Sequence, residues 1–343
     1  MTEPLLFKGA PASPYTRKML ALLRYRHIAY EYLISGSPRL ATLPVPKVEL
    51  LPTFYMHGAL GGIEAFTDST PLLRRFETQF AGRHARPADP VLGLIDSIIE
   101  DYADEWLTKA MFHYRWHFAP DIAKSADILP RWRNLTATDA LAAEMSVQFS
   151  QRQTGRLHFV GSNEVTADVI EQSYVRFLDA FEAHLSAQPF LMGARPGASD
   201  FGVFGQLTQL AHFDPTPTAI TLSQAPRVYA WVALVDDLSG LAPQDDQWNA
   251  RDALPATLIA ILAEAGRTYV PLMLANARAL KTQASRVETV VEGRPWVQNV
   301  FPYQGKCLKW LREEFAALSA PDQAAATAIL EAAGCAALIH EKL

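Results

Sequence analysis

The sequence changes periodicity near residue 90, and that change restricts the chain to a mixed α/β unit followed by a helical one. Leu5 to Phe7 is a short apolar run closed by Lys8 and Gly9, predicted as a buried strand. Pro14 to Arg26 spaces Met19, Leu20, Leu22 and Leu23 as one face of a helix. His27 to Ser35 is rich in β-branched and aromatic residues and is predicted as a second strand. Such a strand-helix-strand unit closes as a right-handed crossover with its strands parallel. Ser35 to Pro46 is irregular. Thr53 to His57 and Ile63 to Thr67 flank a turn at Gly58 to Gly62 and are predicted to pair antiparallel. Thr70 to Phe80 then reads as a helix burying Leu72, Leu73 and Phe76.

Gly82 to Pro90 has the polar, proline-bearing composition of a linker. Val91 to about Trp116 is predicted as one long helix, with further helices near 138–152, 166–185, 199–211 and 227–238. After about residue 250 comes a third segment. It holds a helix near 254–280, a hairpin at 286–300 turning on Glu292 and Gly293, and two last helices. Its apolar and aromatic content demands burial, so it is expected to pack on the helical domain. The predicted domains are therefore 1–81, 88–245 and 250–343.

The net charge is −5, which gives no reason to expect nucleic acid or an anionic membrane as partner. No stretch approaches the roughly 18 apolar residues of a membrane span. Met1 to Leu6 carries no signal-peptide pattern. Two widely spaced cysteines, Cys307 and Cys335, point to a reducing, cytoplasmic setting.

Three motifs could carry chemistry. Ser13-Pro14-Tyr15-Thr16 lies between the first strand and the first helix. Serine at the cap and proline behind it make a good helix start with no further role. The same geometry offers free N–H groups and partial positive charge to an anion such as a thiolate. Leu51-Pro52 is either a plain strand start or a cis-proline turn exposing the Leu51 backbone to an extended peptide. Asp68-Ser69 is either a helix cap or a grip for a ligand's ammonium and carboxylate groups. On the helix 104–118, Trp106, Phe112, His113, Tyr114, Trp116 and His117 are either core or pocket lining. His113 and His117 are spaced i, i+4 without the acidic partner of an HExxH pattern, so no metal is expected.

Taken together, in this order, the three motifs resemble those of the glutathione transferase superfamily over roughly residues 3–240. The resemblance implies a thioredoxin-like α/β N-terminal domain, then an all-α helical bundle, here with an additional C-terminal extension. Ser13 resembles the thiol-activating serine of the tau class. Leu51, Pro52, Asp68 and Ser69 match the glutathione-binding positions, Pro52 being the cis-proline, and Tyr15, Tyr114 and Trp116 become candidate contacts for an apolar electrophile. Gly197 to Phe201 resembles the family's buried capping box, with glycine at the cap. Leu50 stands where the tau class often has a basic residue. Ser13-Pro14-Tyr15-Thr16 is also similar to the glutaredoxin Cys-Pro-Tyr-Cys motif without its thiols, which excludes disulfide exchange through an enzyme cysteine there. The resemblance implies glutathione as co-substrate, attack on an electrophile or peroxide as in detoxification, and a homodimer. The alternative is a non-catalytic binding or assembly protein on the same fold.

Overall fold

The computed structural model describes residues 3–34, 36–59 and 61–342. Ser35, at the end of a predicted strand, and Leu60, inside a predicted turn, lie outside them. β1 (Leu5–Gly9), α1 (Pro14–Tyr25) and β2 (Tyr30–Ile34) form the expected crossover, with β1 and β2 parallel and Phe7 opposite Tyr32. β3 (Thr53–His57) runs antiparallel to β1, and β4 (Ile63–Phe66) antiparallel to β3. The sheet order is β2-β1-β3-β4, and α2 (Ser69–Gln79) completes a thioredoxin-like domain. Phe7 stacks on Phe54, and Phe54 meets Phe76 edge to face, at its centre.

The helical part begins with α3 (Pro90–Tyr102), capped by Asp89, whose carboxylate accepts the N–H groups of Val91 and Leu92. The predicted long helix is interrupted by a π-helical turn at Ala103–Leu107 before it resumes as α4 (Thr108–His117). Then follow α5 (Ala119–Arg131), α6 (Asp139–Thr154), α7 (Ala167–Leu185), α8 (Ala198–Leu210), α9 (Pro215–Gln224) and α10 (Pro226–Val235). The sequence did not announce α5 or α9. α5 carries Pro130 inside its last turn and α9 is rich in threonine, so the helical propensity of both is low. The remaining chain forms α11 (Ala256–Lys281), a hairpin of β5 (Arg286–Val291) and β6 (Arg294–Asn299), α12 (Pro302–Ala316), α13 (Ala320–Ala332) and α14 (Ala337–His340). Glu292 and Gly293 both adopt positive φ, as a two-residue hairpin turn requires.

α11 corrects one expectation from sequence. It is long and apolar enough to cross a membrane by length and composition. In the fold 67% of that apolar stretch is buried, because α11 packs between α7, α12 and the hairpin. Its Tyr269 donates to Asp101 on α3, and Arg176 on α7 holds Glu264 through two bonds of 2.7 and 2.8 Å. Trp296 of β6 is fully buried against Trp106, with ring centroids 5.4 Å apart.

The capping box at α8 explains its own departure from the family pattern. Asp200 accepts the Gly197 N–H at 2.8 Å, but glycine has no side chain to return the bond. Asp96 of α3 supplies it instead, accepting from the N–H groups of Ala198 and Ser199 and the Ser199 hydroxyl at 2.6–3.1 Å. A Cβ at Gly197 would lie 2.3 Å from Asp96 Oδ1. Glycine is therefore required at the cap by the carboxylate that replaces it.

A buried cation on α1 bridges the two domains. Lys18 sits on the apolar face of α1, fully buried, with Nζ 2.6 Å from both Glu100 of α3 and Asp104 of the π turn. It also donates to Ser69 Oγ at 3.3 Å. Burial works against its charge, but Asp104 and Glu100 outweigh that and hold its pKa above the ordinary value. Lys18→Met would leave two carboxylates buried without their cation. It is expected to cost about 3–5 kcal/mol of unfolding free energy. An unchanged denaturant midpoint would contradict this view of the domain contact.

Candidate functional site

Ser13 caps α1, as its residue type and the following Pro14 favour. Its Oγ accepts the Thr16 N–H at 3.2 Å. The hydroxyl proton points to the Leu51 carbonyl at 3.4 Å, long against the usual 2.7–2.8 Å for such a bond. Leu51-Pro52 is a cis peptide bond and enters β3 at Thr53.

Ser13 and Leu51 lie on the wall of a cavity of about 220 Å³ between the two domains. The opposite wall is aromatic: Phe112 and Trp116 from α4, Trp132 just after α5, and Phe149 from α6. Trp116 and Phe149 meet edge to face at 5.7 Å. Two arginines border the cavity, and their states differ. Arg115 is buried and spends its charge on Asp214 through bonds of 2.9–3.1 Å, with a further bond to Gln209. Arg133 is exposed, stacks over Phe149 at 5.8 Å and has no carboxylate partner among the described residues.

The sequence candidates divide over this geometry. Ser13, Leu51 and Trp116 line the cavity. Tyr114 does not: it is 1% exposed and packs against Phe118 and Tyr174 in the core. Tyr15 does not either. Its hydroxyl donates to the Asp104 carbonyl at 2.9 Å and to Thr108 Oγ1 at 3.3 Å, tying α1 to the π turn. Asp68 and Ser69 sit at the start of α2, away from the lining, and both are already engaged. The Ser69 hydroxyl accepts from Lys18, and Asp68 Oδ1 accepts the Tyr303 hydroxyl of α12 at 2.7 Å. Asp68 has φ 85°, a strained backbone for a non-glycine residue. Burial raises its carboxyl pKa, and the bond from Tyr303 partly offsets that.

Tyr303 and Lys18 were not singled out from sequence. Lys18 had a signal, since it falls on the helix face of Leu22 and Tyr25, which an exposed lysine avoids. Tyr303 had none, because nothing local pairs it with a residue 235 positions away.

Behind Tyr303 lies a second polar cluster. Asp101 accepts from Tyr269, and Glu105 accepts from Gln304 at 2.9 Å. Cys307 stands beside both carboxylates, and burial pushes its thiol far up. Burial, and for Glu105 the charge of Asp101, raises these carboxyls from 3.8 and 4.5 to about 7 and about 8. The folded chain keeps protons here that the unfolded chain has released. Stability is therefore expected to fall as pH rises from about 4 to about 8, because the folded state binds more protons across that window. Asp101→Asn keeps the acceptor for Tyr269 and removes one titration, so its stability-pH curve should be flatter over that range. An identical slope in the variant would show that Asp101 is not protonated in the fold.

Two family models match the chain. The glutathione S-transferase N-terminal domain covers residues 7–84, and the glutathione S-transferase C-terminal domain covers residues 139–234. No curated protein matches it. Similar solved structures include a GST-like protein from Pseudomonas syringae, at 17% identity and TM-score 0.44, over 68% of this chain and 67% of that one. A tau class glutathione S-transferase from mango, Mangifera indica, is 18% identical with TM-score 0.39, over 75% of this chain and 96% of that one. A beta-etherase from Sphingobium sp. strain SYK-6 is 15% identical with TM-score 0.46, over 68% and 95%.

Proposed function

Since the chain belongs to the glutathione transferase superfamily, we propose that it is an enzyme that binds glutathione with the thiol at Ser13 and directs it at an aromatic electrophile in the adjoining cavity. One observation carries the reading. The Ser13 hydroxyl, at the N-terminus of a 12-residue helix and on the cavity wall, spends its proton on a single long bond to Leu51. A thiolate placed there is a better acceptor than that carbonyl. It also gains the partial positive charge of the helix end, where thiol pKa values fall from about 8.5 to roughly 3.5–7.5. The thiolate sulfur forms the new bond to the electrophilic carbon, the leaving group departs with the displaced electron pair, and Ser13 is unchanged. Phe112, Trp116 and Phe149 favour a flat apolar ring in the second substrate, and Arg133 favours an anionic group on it.

In this reading the Leu51 backbone pairs with the cysteinyl part of glutathione, and Asp68 and Ser69 receive its γ-glutamyl end. There the γ-glutamyl ammonium meets a carboxylate that already accepts the Tyr303 hydroxyl. The engagement of Asp68 and Ser69 within the fold favours a second reading, a non-catalytic binding or assembly protein on the same fold. Glutathione titration and turnover with an aromatic electrophile separate them. Ser13→Ala should lower turnover about 10²-fold while leaving glutathione affinity little changed. Tyr303→Phe should raise glutathione affinity about tenfold, because Asp68 no longer holds a bond worth about 1.5–3 kcal/mol to a charged group. Unchanged turnover in Ser13→Ala would remove Ser13 from the chemistry. Binding without any turnover would leave the second reading standing.

The proposal includes a homodimer and a cytoplasmic setting. Val45, Val48, Leu50 and Ile63 expose apolar surface on the N-terminal domain, and Cys307 and Cys335 are both free thiols. Light scattering at micromolar concentration is expected to give twice the chain mass. A monomer mass would contradict the dimer.

A further inference from the structure

α4 presents two faces with different chemistry. Phe112 and Trp116 line the cavity, while His113 and His117 turn toward α7 and meet Glu171 there. The ligand atoms of His113, His117 and Glu171 all lie within 4.8 Å of one another. The acidic partner missing next to the two histidines in sequence is thus supplied by a different helix.

The rest of the arrangement suits metal binding. His113 Nδ1 is 2.8 Å from Ser162 Oγ, which fixes the ring and directs Nε2 at Glu171 Oε1, 3.2 Å away. With Nδ1–H donating to Ser162, Nε2 carries a lone pair facing a carboxylate oxygen, and a cation between them relieves that contact. The His113 and His117 ring centroids are 4.6 Å apart, one helical turn along α4. Phe118 stands edge-on to both rings, at 5.7 and 5.0 Å, and lowers the local dielectric. Asp168, one turn before Glu171 on α7, adds negative potential. His113 is fully buried. His117 is exposed and Glu171 half-buried, so the site opens to solvent.

We propose that His113, His117 and Glu171 form a zinc site with two nitrogen ligands and one carboxylate, positioned by Ser162, with its fourth position open to water or an external ligand. Three such ligands with an open fourth position suit Zn²⁺ in tetrahedral geometry. The metal would clamp α4 to α7 from behind the aromatic wall of the cavity.

The test uses the full chain, stripped with a chelator and then titrated with Zn²⁺ by calorimetry and with Co²⁺ by visible absorption. Wild type is expected to take up one ion, to show the absorption of four-coordinate Co²⁺, and to melt at a higher temperature with Zn²⁺. His117→Ala and Glu171→Gln alter solvent-facing ligands, so circular dichroism should show them folded. Each should weaken Zn²⁺ binding by about a hundredfold, and Ser162→Ala by about tenfold. No uptake by wild type would overturn the proposal, since His113 would then simply donate to Glu171. Equal uptake by wild type and both folded ligand variants would overturn it too, by placing the ion on other histidines.

Discussion

The position of Lys18 governs the rest of the molecule. A lysine inside an interdomain core is tolerable only with compensating charge, and Glu100 and Asp104 provide it at 2.6 Å each. Those contacts fix α1 against α3 and the π turn. Because Ser13 caps α1, they also fix the catalytic candidate relative to the aromatic wall of the cavity. Tyr15 reinforces the alignment through the Asp104 carbonyl. Four acidic residues lie just before and within the π turn. Glu100 and Asp104 face Lys18 and the N-terminal domain, while Asp101 and Glu105 face Tyr269 and Gln304 of the C-terminal segment. Each pair is spaced i, i+4 and so shares a face, and this stretch presents carboxylates to two neighbours.

The C-terminal segment is more than a cover for apolar surface. It reaches the α/β domain directly, through Tyr303 on Asp68 and Glu314 on Arg74, and Glu314 also takes Arg86 of the linker and Ser97 of α3. Asp68 holds a φ of 85°, a cost of order 1–3 kcal/mol that persists only where surrounding contacts enforce it. The contact from Tyr303 therefore falls on the residue whose backbone is already constrained for presentation. In the proposed reaction the γ-glutamyl ammonium and the tyrosine hydroxyl compete for one carboxylate.

Local pattern made the first domain readable. The crossover and the antiparallel pair each depend on residues close in sequence, as does the Glu292-Gly293 hairpin of the C-terminal segment. The helical domain was readable as helical but not in its joints. The interruption at 103–107 leaves no mark in apolar spacing, since Trp106 and Leu107 stay buried across it. The local geometry of the candidate site was readable where the backbone makes it, as in the Ser13 cap and the cis Leu51-Pro52 bond. They were not where distant side chains meet. Tyr114 looks like a pocket aromatic in sequence and is core, because one turn of helix decides which way it faces. Glu171 carries no signal of its own until α7 lies beside α4.

The central claim is that glutathione binds with its sulfur at the α1 N-terminus, beside Ser13. The ultraviolet absorbance of the thiolate tests it most directly, read as a difference spectrum between glutathione mixed with the protein and the two kept apart, followed against pH. A thiolate band at neutral pH, with a midpoint well below the free thiol's value of about 8.5, is the result this account predicts. A midpoint equal to that of free glutathione, or no difference spectrum at saturating glutathione, would contradict it.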